Sequence, residues 1–189
     1  MRIIAGNARG RRIDAPAGNN TRPTLDRVRE NLFNMIQTRI EGAKVLDLFT
    51  GSGALSLESI SRGAMSAVMV EHNRIAWETS QRNIASLGFE SQCTLLRMDY
   101  RQAISDLLEA HDRFDIIFLD PPYDMIPYDM LLSEVIQLMA DDGIIVLEHP
   151  GKTTPPYPQE TLRAVKERNW GYCGISIYQQ TNPVQAEEV

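Results

Sequence analysis

The 189-residue sequence predicts an α/β domain built on a largely parallel sheet with helices on both faces. Three observations lead there. Short runs that are apolar throughout alternate four times with segments of helical periodicity. The stretch KVLDLFTGSG, from Lys44 to Gly53, reads as a buried strand, a tight glycine turn and a helix start. The tail then changes character, with two alternating stretches around Asn169, Trp170 and Gly171 that suit an antiparallel hairpin closing a sheet edge.

Taken in order, residues 2–5 and 12–13 flank the turn-rich GNARGR, which suits a short hairpin with outward arginines. AGNNTRPT follows as a loop, with Pro23 keeping its predecessor extended and Thr24 placed as a helix cap. Leu25, Val28, Leu32, Met35 and Ile36 then recur at helical spacing, and Gly42 stops the helix. Arg27 and Arg29 fall off that apolar stripe, toward solvent or a ligand.

After the glycine turn, helix ALSLESISR stops at Gly63, and strand SAVMVE leads to Asn73, which can cap RIAWETSQRNIASL before Gly88. Strand CTLLR, helix RQAISDLLEA, strand DIIFL, the DPPY turn, helix PYDMLLSEVIQLM and strand GIIVLE complete the alternation. A Pro-rich loop, GKTTPPYPQE, precedes the hairpin, and TNPVQAEEV is expected to fray.

Composition narrows the classes. No apolar run approaches a membrane span and the N-terminus does not read as a signal peptide, so a cytoplasmic protein is expected. Cys93 and Cys173 have no metal-type spacing, and His72, His111 and His149 form no cluster, so no metal site is expected. The net charge of −6 is unevenly spread: residues 1–40 carry eight arginines against Asp14, Asp26 and Glu30, a net +5, and the remaining 149 residues carry −11. A basic head on an acidic body suits a catalytic domain with a grip for a polyanion.

The chemistry sits at strand ends. Gly51 and Gly53 let a ligand approach the backbone, Glu71 ends the next strand at the distance expected of a ribose-binding carboxylate, and Asp47 lies beside the turn. Ser56 stands where a dinucleotide fingerprint wants Gly or Ala, which counts against an NAD enzyme. Asp99 and Asp120 follow later strands, so a parallel sheet brings all of these together. A nucleoside fits them, with glycines at an amino-acid end, Glu71 on the ribose and Asp99 on an adenine amine.

In Asp120-Pro121-Pro122-Tyr123 the prolines stiffen the turn and remove N–H donors, leaving the Asp120 carboxylate and the Pro121 carbonyl as acceptors aimed at one point. An exocyclic amine offers two N–H donors to such a pair, and Tyr123 can stack on the base. These stations together suggest a methyltransferase. The candidate sets are Asp120, Pro121, Pro122 and Tyr123 for catalysis, and Asp47, Phe49, Gly51, Gly53, Glu71, His72, Asp99 and Tyr100 for the cofactor.

RIIAGNARGRRI, TRPTLDRVRENLFN, LDLFTGSGALSLESISRGA, VEHNRIA and DIIFLDPPY together resemble the RsmD family, bacterial methyltransferases acting on guanine N2 of 16S ribosomal RNA. The resemblance spans nearly the whole chain. It implies a Rossmann-like S-adenosylmethionine-dependent fold of seven strands with an antiparallel last strand, divided into an RNA-binding hairpin extension at 1–23 and a methyltransferase domain at 24–189. Carried over by motif, Asp47, Gly51 and Gly53 would bind the methionine end, Glu71 the ribose and Asp99 the adenine, while Asp120, Pro121 and Tyr123 would hold the guanine. Residues 21–29 resemble a lid. Arg9, Arg11, Arg12, Arg22, Arg27 and Arg29 would face RNA of the small ribosomal subunit, and a monomer is expected. Thr50 and Ser56 depart from the alanine and glycine frequent in the family. The rivals are an adenine-amine methyltransferase acting on DNA, disfavoured because 189 residues leave no inserted target-recognition region, and a non-catalytic assembly factor gripping ribosomal RNA.

Overall fold

The computed structural model describes residues 1–16, 23–122, 127–152 and 155–181, with residues 23–25 as backbone. Seven strands form one sheet: β1 (Lys44–Asp47), β2 (Ser66–Val70), β3 (Cys93–Leu96), β4 (Phe114–Leu119), β5 (Met139–Pro150), β6 (Leu162–Asn169) and β7 (Cys173–Gln180). Their spatial order is β3-β2-β1-β4-β5-β7-β6. The first five are parallel, and β7 runs antiparallel to both β5 and β6. The chain therefore moves outward in one direction from β1 to β3 and then returns to the other side at β4, and that reversal opens a crevice between the C-terminal ends of β1 and β4.

Among the described residues, five α-helices cover the sheet: α1 (Pro23–Ile36), α2 (Ala54–Ser61), α3 (Arg74–Leu87), α4 (Tyr100–Glu109) and α5 (Tyr128–Val135). Inward side chains split by strand parity, as a period of two requires. Val45, Ile116, Phe118, Ile144 and Val146 face the layer of α1, α2 and α3 through Leu32, Phe33, Leu57, Ile60 and Ile84. Leu46, Leu48, Ile117, Leu119, Ile145 and Leu147 face α4 and α5 through Ala103, Ile104, Leu107, Leu131 and Val135.

Two expectations at helix ends are corrected. Thr24 does not cap α1, because the helix already begins at Pro23, whose missing N–H is harmless in a first turn. The α-helix also ends at Ile36, before Gly42, and continues only as a 3₁₀ turn at Gln37–Arg39. Asn73 does cap α3, its Oδ1 accepting from the N–H groups of Ile75 and Ala76 at 2.9 and 3.2 Å.

The head is a docked element. A single antiparallel bridge joins Arg2 and Arg12, and Ile3, Ala8 and Ile13 enter the α1–α3 core. Helix α2 holds it: the fully buried Glu58 carboxylate accepts from Ile4 N–H at 2.7 Å and Ala5 N–H at 3.0 Å. Ser61 Oγ donates to Ala5 O at 2.6 Å and accepts from Ala8 N–H at 3.0 Å. The tail TNPVQAEEV lies outside the described residues from 182 onward.

Candidate active site

Strand β1 delivers Asp47 as its last residue, 1% exposed, directly before the glycine turn. Its Oδ2 accepts from Thr50 Oγ1 and Ser56 Oγ, both at 2.9 Å. Its Oδ1 has no hydrogen-bond partner among the described residues. Burial raises the carboxyl to about 6, against the opposing pull of the Ser56 and Thr50 hydroxyls. The two hydroxyl residues that hold Asp47 are thus Thr50, in the turn, and Ser56, in α2.

The turn needs its glycines for different reasons. Gly51 sits at φ 55° with open space where a Cβ would stand, so its flank is accessible to a ligand. Gly53 begins α2 at φ 83°, and a Cβ there would come 2.8 Å from Met69 Cε. Glu71, just after β2, fastens the turn by accepting from Gly51 N–H at 3.0 Å and from Asn73 N–H at 2.7 Å. A carboxylate has about four acceptor positions, so two remain for hydroxyls.

A crevice of about 410 Å³ opens beside this turn, lined by Phe49, Gly51, Glu71, His72, Met98, Tyr100, Asp120, Pro121 and Pro122 among others. Phe49 and Tyr100 pair there with ring centroids 5.2 Å apart, an apolar surface suited to a flat heterocycle. Asp99 does not line it. It is exposed and caps α4 by accepting from Arg101 N–H at 2.9 Å, and its neighbours Met98 and Tyr100 reach the cavity instead.

A second crevice of about 390 Å³ lies toward α1 and the head, lined by Met1, Ala15, Pro16, Arg29, Leu32, Asp47, Asp120 and Glu148 among others. Phe49, Gly51 and Asp120 border both cavities. Asp47, Asp120 and Glu148 all follow by two residues a side chain of the α1–α3 face, namely Val45, Phe118 and Val146, so three neighbouring strands present carboxylates on one side. Asp120 is exposed to the cavity, yet the protein walls around it and the nearby charges of Glu148 and Asp47 hold its pKa well above the usual carboxylate range.

Glu148 was not among the sequence candidates. Within LEHP it reads as a charged strand end, and its signal, the same strand parity as Asp47 and Asp120, becomes usable once β4 and β5 are known to be neighbours.

The arginines divide. Arg29 was expected to face solvent or a ligand's phosphates, but its guanidinium is 6% exposed. It donates to Arg2 O at 2.5 Å and Asp26 Oδ1 at 3.1 Å, with Nε finding no partner among the described residues. Burial lowers its pKa. Arg11 is committed to the C-terminal carbonyls of α3, donating to Leu87 O at 3.0 Å and to Ser86 O. Arg9, Arg12 and Arg27 are exposed, and their side chains make no hydrogen bond or ion pair to other described residues. Arg22, Tyr123 and most of the 21–29 lid expectation lie outside the described side chains. His149 is 5% exposed, with Nε2 3.0 Å from Ser176 Oγ. No described helix is long and apolar enough to cross a membrane.

The joined crevices fit a nucleoside bearing an amino-acid chain: Asp47 Oδ1 is a buried acceptor lacking a donor, Gly51 leaves the backbone approachable, and the Phe49–Tyr100 pair offers an aromatic wall. The strand order and the crevice at its switch point define the Rossmann-like fold of S-adenosylmethionine-dependent methyltransferases.

The family model described as Conserved hypothetical protein 95 matches residues 1–179, and the chain belongs to this family, the RsmD family. Ribosomal RNA small subunit methyltransferase D of Escherichia coli K12 is 39% identical over 186 residues, covering 95% of this chain and 90% of that protein. Among solved structures, a hypothetical protein of Thermus thermophilus superposes with a TM-score of 0.80 at 27% identity, covering 95% of this chain and 99% of that one. A conserved hypothetical protein of Streptococcus pyogenes gives 0.74 at 36% identity, covering 82% and 95%.

Proposed function

We propose that this protein transfers the methyl group of S-adenosylmethionine to the exocyclic N2 amine of a guanine in the 16S RNA of the small ribosomal subunit. The observation that carries this reading is the place of Asp120 in both crevices, with Pro121 and Pro122 beside it lining the one on the Glu71 side. The crevice on the Glu71 side has the aromatic and carboxylate lining a nucleoside cofactor needs. The other has the acceptors a donor-rich base needs. When bound, the cofactor supplies an electrophilic methyl carbon on a sulfonium.

Asp47 accepts the cofactor's ammonium at Oδ1, and Glu71 takes the ribose hydroxyls with the acceptor positions the turn leaves over. Asp120 and the Pro121 carbonyl accept the two N–H bonds of the target amine, which turns the nitrogen lone pair toward the methyl carbon. With the cofactor in place, the nitrogen–carbon bond would form as the carbon–sulfur bond broke, its electron pair leaving with sulfur. The methylated nitrogen then loses a proton, and the raised proton affinity of Asp120 suits it to receive that proton. Alignment accounts for most of the acceleration.

Residues 1–23 form the extension that grips RNA, and the enzyme acts as a cytoplasmic monomer. Labelled methyl should pass from S-adenosylmethionine to small subunits from a strain lacking the gene, and nucleoside analysis should recover N2-methylguanosine. Label in adenine of a DNA duplex would move the substrate to DNA. Asp120→Ala should lose at least about 100-fold in turnover while the melting shift with S-adenosylhomocysteine persists. Loss of that shift would remove Asp120 from the base pocket.

A further inference from the structure

Strands β4 and β5 pair in parallel with Leu119 beside Leu147, so the next residues, Asp120 and Glu148, stand side by side at the strand ends, about 4.8 Å apart by strand spacing. Both line the crevice toward α1. The trio with Asp47 is not gathered closely enough to hold a metal ion. What it offers is a row of acceptors, with a half-buried second carboxylate immediately next to the one that takes the target amine.

The bases differ at the ring atoms next to their exocyclic amine: adenine (N1) and cytosine (N3) offer only an acceptor there, whereas guanine has a donor, N1–H, on one side and the acceptor N3 on the other. A carboxylate accepts only, so a carboxylate beside Asp120 attracts guanine and repels the lone pairs of the other two. A second observation concerns Arg29, which also lines this crevice: its Nε finds no partner among the described residues, and guanine's O6 is an acceptor adjacent to N1–H.

Resting on the reading of the site as one for a guanine amine, we infer that Glu148 is a specificity-determining residue, accepting the N1–H of the target base while Asp120 holds its N2 amine. Glu148 does no bond-breaking. It selects the base that can be methylated.

The test uses an RNA segment containing the nucleotide that the wild-type enzyme modifies, prepared with guanine or with 2-aminopurine at that position. 2-Aminopurine keeps the amine but has an acceptor at N1 and no O6. Wild type should prefer guanine in kcat/KM by on the order of 100-fold. In Glu148→Gln the amide can donate to N1, so the 2-aminopurine substrate should gain in absolute rate and the preference should shrink to within about tenfold. Glu148→Asp, which keeps the acceptor, should be slower on both while preserving the preference.

The S-adenosylhomocysteine melting shift should be unchanged in both variants, reporting an intact fold and cofactor site. A Glu148→Gln enzyme with the wild-type preference, or with equal losses on both substrates, overturns the inference. A wild-type enzyme that labels no guanine overturns the underlying reading of the site instead, and the two failures are distinguishable because the second is seen before any variant is made.

Discussion

Asp47 is held by two hydroxyls on Oδ2, with the Phe49 N–H also pulling on the carboxylate, while Oδ1 makes no close hydrogen bond among the described residues, inside a site that is almost closed to water. A buried ionised carboxylate with a spare acceptor costs the free protein stability and gains it back when an ammonium arrives. Because its folded pKa, about 6, lies above the ordinary 3.8, the residue favours the folded state at low pH, and that contribution is lost as pH rises through about 6. Asp47→Asn should therefore raise the stability of the unliganded protein by roughly 1–2 kcal/mol at pH 8, with the gain shrinking toward pH 4. The same variant should lose the melting shift with S-adenosylhomocysteine. In wild type, affinity for that ligand should fall as pH drops below about 6. Calorimetry at pH 5 and pH 8 checks both signs, and equal affinity at the two values would place the ammonium elsewhere. At this scale the sequence identified the carboxylates at strand ends but not their roles. Asp99 proved to cap α4, an outcome inseparable from ligand binding in a linear reading, since both want an acceptor just before a helix.

Helix α2 was legible as a helix and illegible as a dock. The strands could be read because buried parallel strands are apolar on both sides, and the helices because their caps and stops, such as Asn73 and Gly88, have local chemistry. Glu58 and Ser61 look like ordinary polar positions of an amphipathic helix, and their partners lie more than 50 residues away in the head. Arg62 completes the joint, donating to Glu58 at 2.7 Å while its guanidinium lies 4.8 Å from the centre of the Phe33 ring of α1. Glu58 thus joins the head, α2 and, through Arg62, α1. Glu58→Ala would strand two half-buried N–H groups and a cation, so about 3–5 kcal/mol of stability should disappear, measurable as a lower urea midpoint. A loss under about 1 kcal/mol would mean that the head is held by Ile3, Ala8 and Ile13 alone, through apolar burial.

Over the whole molecule, a net charge of −6 conceals a head of +5, and the structure reduces that head further. Arg29 is interior, Arg11 closes the end of α3, and Arg2 donates to Gly10 O at 2.7 Å. Arg9, Arg12 and Arg27 are the described cations of the first forty residues that are exposed and uncommitted. The head and α1 also wall the crevice of Asp120 and Glu148 through Met1, Ala15, Pro16 and Leu32, so RNA held by these arginines would be held beside the base pocket. An acidic body repels RNA everywhere else, which makes a few cations sufficient to orient it. Replacing Arg9, Arg12 and Arg27 with Gln should weaken binding to 16S RNA and reduce the slope of log affinity against log salt by about 2, roughly 0.7 for each phosphate no longer neutralised. Arg11→Gln, although it removes the same charge from the same hairpin, should lower the melting temperature and change the slope by less than about 0.5. Titration of each variant with labelled RNA across a salt series separates the two kinds of arginine, and an equal slope change for Arg11→Gln would mean that its guanidinium leaves the carbonyls of α3 to reach the phosphate backbone.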